Sequence, residues 1–233
     1  MQVGDTGQDI QAVLLTTDIT SEVVDEAIML GCQLIISHHP LLFHGLKQVC
    51  GQTPQARIVA RAIKHDIAIY SAHTSLDSVM GGINTRLADK LAISDYRILV
   101  PSEANPATGL GVIGQLKEPM TYSDFLLHLR ETLHTTYIRY TRPVHEQIQC
   151  VALCGGSGVE FMDAAIEQGA QLYLTADCKY HDFQAAEGRI NLVDIDHWVS
   201  ENHARDIFRD ILSDIDVKCY ISKADKTPII IES

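Results

Sequence analysis

The chain has 233 residues, 46% of them hydrophobic and 21% charged, which suits one large globular domain or two small ones and excludes disorder along its whole length. With 18 basic against 30 acidic residues the net charge is −12, which argues against a general grip on nucleic acid or on an anionic membrane surface. No stretch approaches the roughly 18 apolar residues of a membrane span, and the six scattered cysteines, with no C-x-x-C spacing, read as reduced thiols of a cytoplasmic protein.

Residues 10–17 form a short β-rich apolar run. Residues 21–30 carry Val23, Val24, Ala27, Ile28 and Leu30 at helical spacing, with Thr20 as N-cap and Gly31 as the stop. Residues 34–36 read as a buried strand, and Thr53-Pro54 opens a helix that runs to about residue 64. A strand at 67–70 and a helix at 84–91, behind Gly81-Gly82, complete an alternation that implies βαβ units and a largely parallel sheet. The middle, 101–146, is punctuated by Pro101, Pro106, Pro119 and Pro143 and holds a β run at 109–116 and an amphipathic helix at 123–134. It reads as a connector that pairs strands at the sheet edge. Beyond it come a strand at 150–154, Gly155-Gly156-Ser157-Gly158, a helix at 161–168 ending at Gly169, strands at 172–174 and 192–195, and a helix at 203–212.

The two halves repeat. Asp25, Ala27, Ile28, Gly31, Gln33 and Leu34 recur at the same spacing as Asp163, Ala165, Ile166, Gly169, Gln171 and Leu172. The expected fold is α/β, with two duplicated halves of mixed, largely parallel sheets facing a central metal cleft. The division is 1–100 for the first half, 101–146 for the connector and 147–233 for the second half.

The chemistry clusters just past strands. His38-His39 follows the 34–36 strand, and adjacent histidines on an extended segment point to opposite sides, which suits two ions better than one. His73-x-x-x-Asp77 and His197-x-x-x-Glu201 each follow a strand, and spacing four puts both side chains on one face of a helical turn. The set His38, His39, Asp77, His197 and Glu201 is imidazole and carboxylate without thiolate, which suits Zn, Fe, Mn or Co and suits Ca poorly. Five side chains cannot close two coordination spheres, so open positions remain, as catalytic sites require. Glu201 has two oxygens and can bridge ions ~3.5–4 Å apart, and a hydroxide generated there at neutral pH would be the nucleophile. Lys179 and His181 read either as a cleft-lining cation and proton shuttle or as solvated residues of a helix start. Asp18 reads as a group supporting a ligand or as a helix cap. Gly155–Gly158 reads as a tight strand-to-helix turn or as an anion cradle, and Trp198 as a loop anchor or a stacking platform.

The segments IISHHPLLFHGLK (35–47), AHTSLDSVMGGINTRLADKL (72–91), KYHD (179–182) and DIDHWVSE (194–201) resemble the GTP cyclohydrolase 1 type 2 family, the dinuclear-metal proteins also called NIF-three-like, over nearly the whole chain. The resemblance implies a duplicated α/β fold, two metal ions held by His38, His39, Asp77, His197 and a bridging Glu201, and a ring-shaped homohexamer. His73 falls on a position at the family's site, as an extra ligand or a supporting group. The implied function is a metal-dependent hydrolase acting on a small-molecule substrate, a nucleotide or a relative of one, with Lys179 or His181 assisting by charge or proton transfer. The family name itself implies opening of the guanine ring of GTP with release of formate. The alternative is a metal-binding regulatory or scaffold protein whose ring assembly binds protein partners, and a third reading is metal handling. Two departures stand out: relatives carry a helix and an Asp-Asn-x-Gly-Leu segment before the first strand, of which Val3-Gly4-Asp5 looks like the tail, and the connector leaves no room for the extra domain of longer members.

Overall fold

The structure is a computed structural model and describes residues 1–230. In chain order its elements are β1 (Ala12–Thr16), α1 (Ser21–Leu30), β2 (Leu34–Ser37), α2 (Pro54–Lys64), β3 (Ala68–Ser71), α3 (Thr74–Asp77), α4 (Ile83–Lys90), β4 (Ile93–Pro101), β5 (Gly109–Thr121), α5 (Tyr122–Leu133), β6 (Ile138–Tyr140), β7 (Gln147–Ser157), a 3-10 turn (Val159–Phe161), α6 (Met162–Glu167), β8 (Leu172–Ala176), α7 (Tyr180–Ala186), β9 (Asn191–Ile195), α8 (His197–Glu201), α9 (Ala204–Ile211) and β10 (Lys218–Ile221). They group into two compact units, one made of Met1–Leu76 with Asn202–Pro228 and one centred on Asp77–Glu201.

The first unit is an all-parallel sheet in the order β10-β1-β2-β3. Leu14, Ile35 and Ile69 stand in register across β1, β2 and β3 and pack with Val23, Val24 and Ala27 of α1 and Ile58, Val59 and Ala62 of α2. The helix ends follow the local chemistry. The Thr20 hydroxyl accepts from the Val23 N–H and the Thr53 hydroxyl from the Ala56 N–H, while Gly31 closes α1 at φ +67°, a left-handed conformation that costs glycine little.

The second unit is a six-stranded sheet in the order β4-β5-β7-β8-β9-β6. Its β7-β8-β9 core is parallel, and the flanking pairs are antiparallel. The period-two alternation of side chains sorts each core strand between two cores. Val151, Leu153, Leu172, Leu174, Val193 and Ile195 join α4 and α5, whereas Ala152, Tyr173 and Leu192 join α6. Within the predicted connector, β5 lies inside the sheet between β4 and β7, and only β6 sits at an edge. The predicted 150–154 strand is longer than expected, because β7 continues through the two glycines to Ser157.

The internal repeat survives as shared hydrogen bonding. The Gln33 Oε1 accepts from the Gln11 and Ala12 N–H groups at 3.0 Å, and the Gln171 Oε1 accepts from those of Gln149 and Cys150 at 2.8 Å, so each glutamine secures the first half of the preceding strand. Asp25 pairs with Arg61 and Asp163 with Arg189. Among the described residues no helix is long and apolar enough to cross a membrane.

Replacing Gln171 with Ala strands two backbone donors in the first half of β7. The expected cost is about 1–2 kcal/mol, seen as a fall of roughly 3–6 °C in the thermal midpoint followed by circular dichroism. An unchanged midpoint would show that water satisfies those donors equally well.

Candidate metal centre

In the first unit the candidate ligands sit beyond the carboxyl ends of parallel strands, where open α/β sheets place their sites. The β1–β2 ladder runs past Ser37: the His38 N–H donates to the Thr16 carbonyl at 3.2 Å and the His39 N–H to the Thr17 carbonyl at 2.9 Å. The Ser37 hydroxyl donates to the His39 carbonyl at 2.7 Å. The chain bends at His38-His39, so alternation ends at Ser37 and the two rings do not diverge as an extended segment would require. Their centroids are 4.8 Å apart. With His73, just past β3, they form a group whose ligand nitrogens lie within 4.8 Å of one another, and this group could hold a metal ion.

Two of these rings are oriented from behind. The His39 Nδ1 meets the Asp18 Oδ1 at 2.8 Å, and the His38 Nδ1 meets the Ala72 carbonyl at 3.3 Å. Both acceptors require a proton on Nδ1, which leaves the lone pair on Nε2, the arrangement metal-binding histidines use. Asp18 is therefore a partner of His39, and the cap of α1 is Thr20.

In the second unit the one-turn helix α8 brings His197 and Glu201 together as the i, i+4 spacing predicts, with His197 Nε2 3.0 Å from Glu201 Oε2. The His197 Nδ1 meets the Asp177 Oδ2 at 2.7 Å, and Asp177 holds a left-handed φ of +58° just past β8. Glu201 is only 4% exposed. Burial opposes a charge on His197, but the hydrogen bond and charge of Glu201, then those of Asp177, outweigh it and raise its pKa to about 9. Burial first, then the nearby charges of Asp77 and Glu201, push the Cys154 thiol up to about 12. The locale is thus negative and rich in oxygen and nitrogen donors, which fits a divalent cation. Asp77 ends α3, the turn expected after His73, and the Asn84 side chain donates to its carbonyl at 3.0 Å.

The glycine run is neither a turn nor an anion cradle. The N–H groups of Gly155, Gly156 and Gly158 are taken by Asn84 Oδ1, Ser200 Oγ and Thr175 Oγ1 at 2.8, 2.9 and 3.1 Å. Gly156 has φ +65°, and a Cβ there would overlap Glu201 Oε1 and lie 3.3 Å from His197 Nε2. The glycine makes room for the carboxylate. Lys179 and His181 are exposed at the start of α7; the Lys179 N–H donates to Asp182 Oδ2 at 2.6 Å and the His181 Nδ1 meets Gln184 Oε1 at 2.9 Å. Trp198 is half-buried on α8. Sequence reasoning passed over Asn84 and Ser200, whose signal lies only in the fold.

Comparison with known proteins places the chain in a family. A GTP cyclohydrolase 1 type 2 homolog of Clostridium perfringens is 36% identical over 204 residues, 86% of this chain and 77% of the relative. A homolog of the same name from Streptomyces coelicolor is 35% identical over 205 residues, covering 85% and 72%. The crystal structure of a Bacillus cereus protein related to NIF3 superposes with a TM-score of 0.90 at 25% identity, covering 99% of this chain and 92% of that one. Residues 1–228 match a single family profile, and the chain belongs to the Duf34/NIF3 (NGG1p interacting factor 3) family.

Proposed function

We propose that the protein is a dinuclear divalent-metal-dependent hydrolase acting on a nucleotide or a related small molecule, with His38, His39, Asp77, His197 and Glu201 as the ligands of two ions. The observation that carries this reading is the buried Glu201 carboxylate beside His197. A carboxylate withdrawn from water is stable only with a cation or a proton beside it, and here both atoms are first-row metal donors. The oriented histidines of the first unit support it, as does the name of the relatives. Bound divalent ions would supply Lewis acidity and a nucleophile at neutral pH. The chain's own groups do the rest. Asp18 and Asp177 fix the ring orientation and tautomer of His39 and His197, the absent side chain at Gly156 admits Glu201, and Lys179 and His181 offer an exposed ammonium and imidazole for charge and proton transfer. The homohexamer implied by resemblance belongs to the same proposal, and light scattering tests it.

Elemental analysis of protein purified without chelator should find close to two divalent ions per chain. Glu201→Gln, which keeps the side-chain volume, and His38→Ala should each lower that content and abolish turnover of GTP followed by formate release, with the circular dichroism spectrum retained. A metal-free parent protein would sink the reading.

Asp177→Asn removes the charge behind His197 and should weaken metal affinity about 10–100-fold in a competition titration. Gly156→Ala strains a left-handed residue and displaces Glu201. It should cost about 1–3 kcal/mol of stability and reduce metal content, both measurable on the same preparation.

A further inference from the structure

Within the second unit, a cavity of about 670 Å³ opens beside the edge strand β6 and helix α7. That volume is in the range that takes a small organic ligand. Its lining includes Tyr140, Arg142, Tyr180, Phe183, Gln184 and Glu187. The aromatic walls are open to solvent, with Tyr180 71% and Tyr140 48% exposed. Two guanidinium groups line the cavity, and they differ in kind. Arg139 is spoken for: it pairs with the buried Asp194 at 2.6 Å, donates to the Cys178 carbonyl at 2.7 Å and lies 5.3 Å from the centre of the Phe183 ring. Arg142 is exposed and, among the described residues, forms no ion pair. The Arg142 guanidinium stands beside exposed aromatic faces.

We infer that this groove binds a planar aromatic ring carrying a phosphate, the chemistry of a nucleoside monophosphate. The ring stacks against Tyr180 and its aromatic neighbours, and the phosphate pairs with the Arg142 fork. Glu187 in the lining limits the negative charge the groove accepts, which favours one phosphate over several. The groove is also tied to the candidate metal ligands by a backbone segment. The Cys178 carbonyl accepts from Arg139 and its N–H donates to Asp194 Oδ1 at 2.9 Å, so the peptide next to Asp177 is held by the groove wall. Asp177 in turn holds His197. As a substrate subsite the groove rests on the hydrolase reading above; as a binding site it stands without it.

Isothermal titration of the full-length chain with GMP, guanosine and inorganic phosphate, with and without chelator, separates the two. GMP should bind in both conditions and more tightly than either fragment. Arg142→Ala and Tyr180→Ala, both at exposed positions that leave the core intact, should each weaken GMP about tenfold. No binding by the parent chain, binding that disappears with chelator, or equal affinity in either variant would overturn the groove assignment. Failure to find metal in the protein would instead overturn the hydrolase reading and leave the groove standing.

Discussion

Glu201 is a buried carboxylate, and much of its neighbourhood accommodates it. A carboxylate at 4% exposure loses most of its hydration and must be repaid by hydrogen bonds, a proton or a cation. His197 supplies the proton, with its pKa raised by Glu201 and Asp177 against the cost of burial. Ser200 ties α8 to β7 through the Gly156 N–H, and Asn84 ties the Asp77 carbonyl to the Gly155 N–H. A cation and a proton compete for the same Nε2 and Oε2 atoms, so the features that hold the proton in the metal-free protein are those that would hold a metal.

Both units use one device to aim their histidines. Parallel strands deliver the chain to a common edge, and the first residues beyond β1, β2 and β3, or beyond β8 and β9, carry the polar groups. A carboxylate from one strand end then grips the Nδ1 of a histidine from another: Asp18 with His39, and Asp177 with His197. The aspartates lie after strands that the repeat does not equate, β1 in one unit and β8 in the other, so the device was reached by different routes in the two halves.

Much of this was legible in the sequence because local rules decide it. Thr20, Gly31 and Thr53-Pro54 marked helix ends through capping chemistry that needs no tertiary partner. The His-x-x-x-acid spacings foretold one-turn helices, and the repeat foretold that Gln33 and Gln171 share a role, though not that each would secure a strand. What stayed hidden depends on contacts far apart in sequence. The glycines after residue 154 read as a turn because glycine usually breaks a strand, yet Gly156 is there for the carboxylate 45 residues later. The bend at His38-His39 overrode the period-two rule, since that rule applies only while the strand lasts. The partners of Asp18 and Asp177 could be named only once strand ends were neighbours.

The placement of β10 has a consequence for biosynthesis. Strand β10 pairs with β1, and Glu26 accepts hydrogen bonds from Ser222, Lys223 and Ala224, so the first unit is closed by a segment made some two hundred residues after its opening strand. Residues 77–201 of the second unit form one uninterrupted stretch, translated before that segment. Domains made of contiguous chain can fold as they appear, whereas long-range parallel pairing must wait for its partner. The nascent protein therefore carries an unfinished sheet with a bare β1 edge until residues 202–228 arrive and cover it.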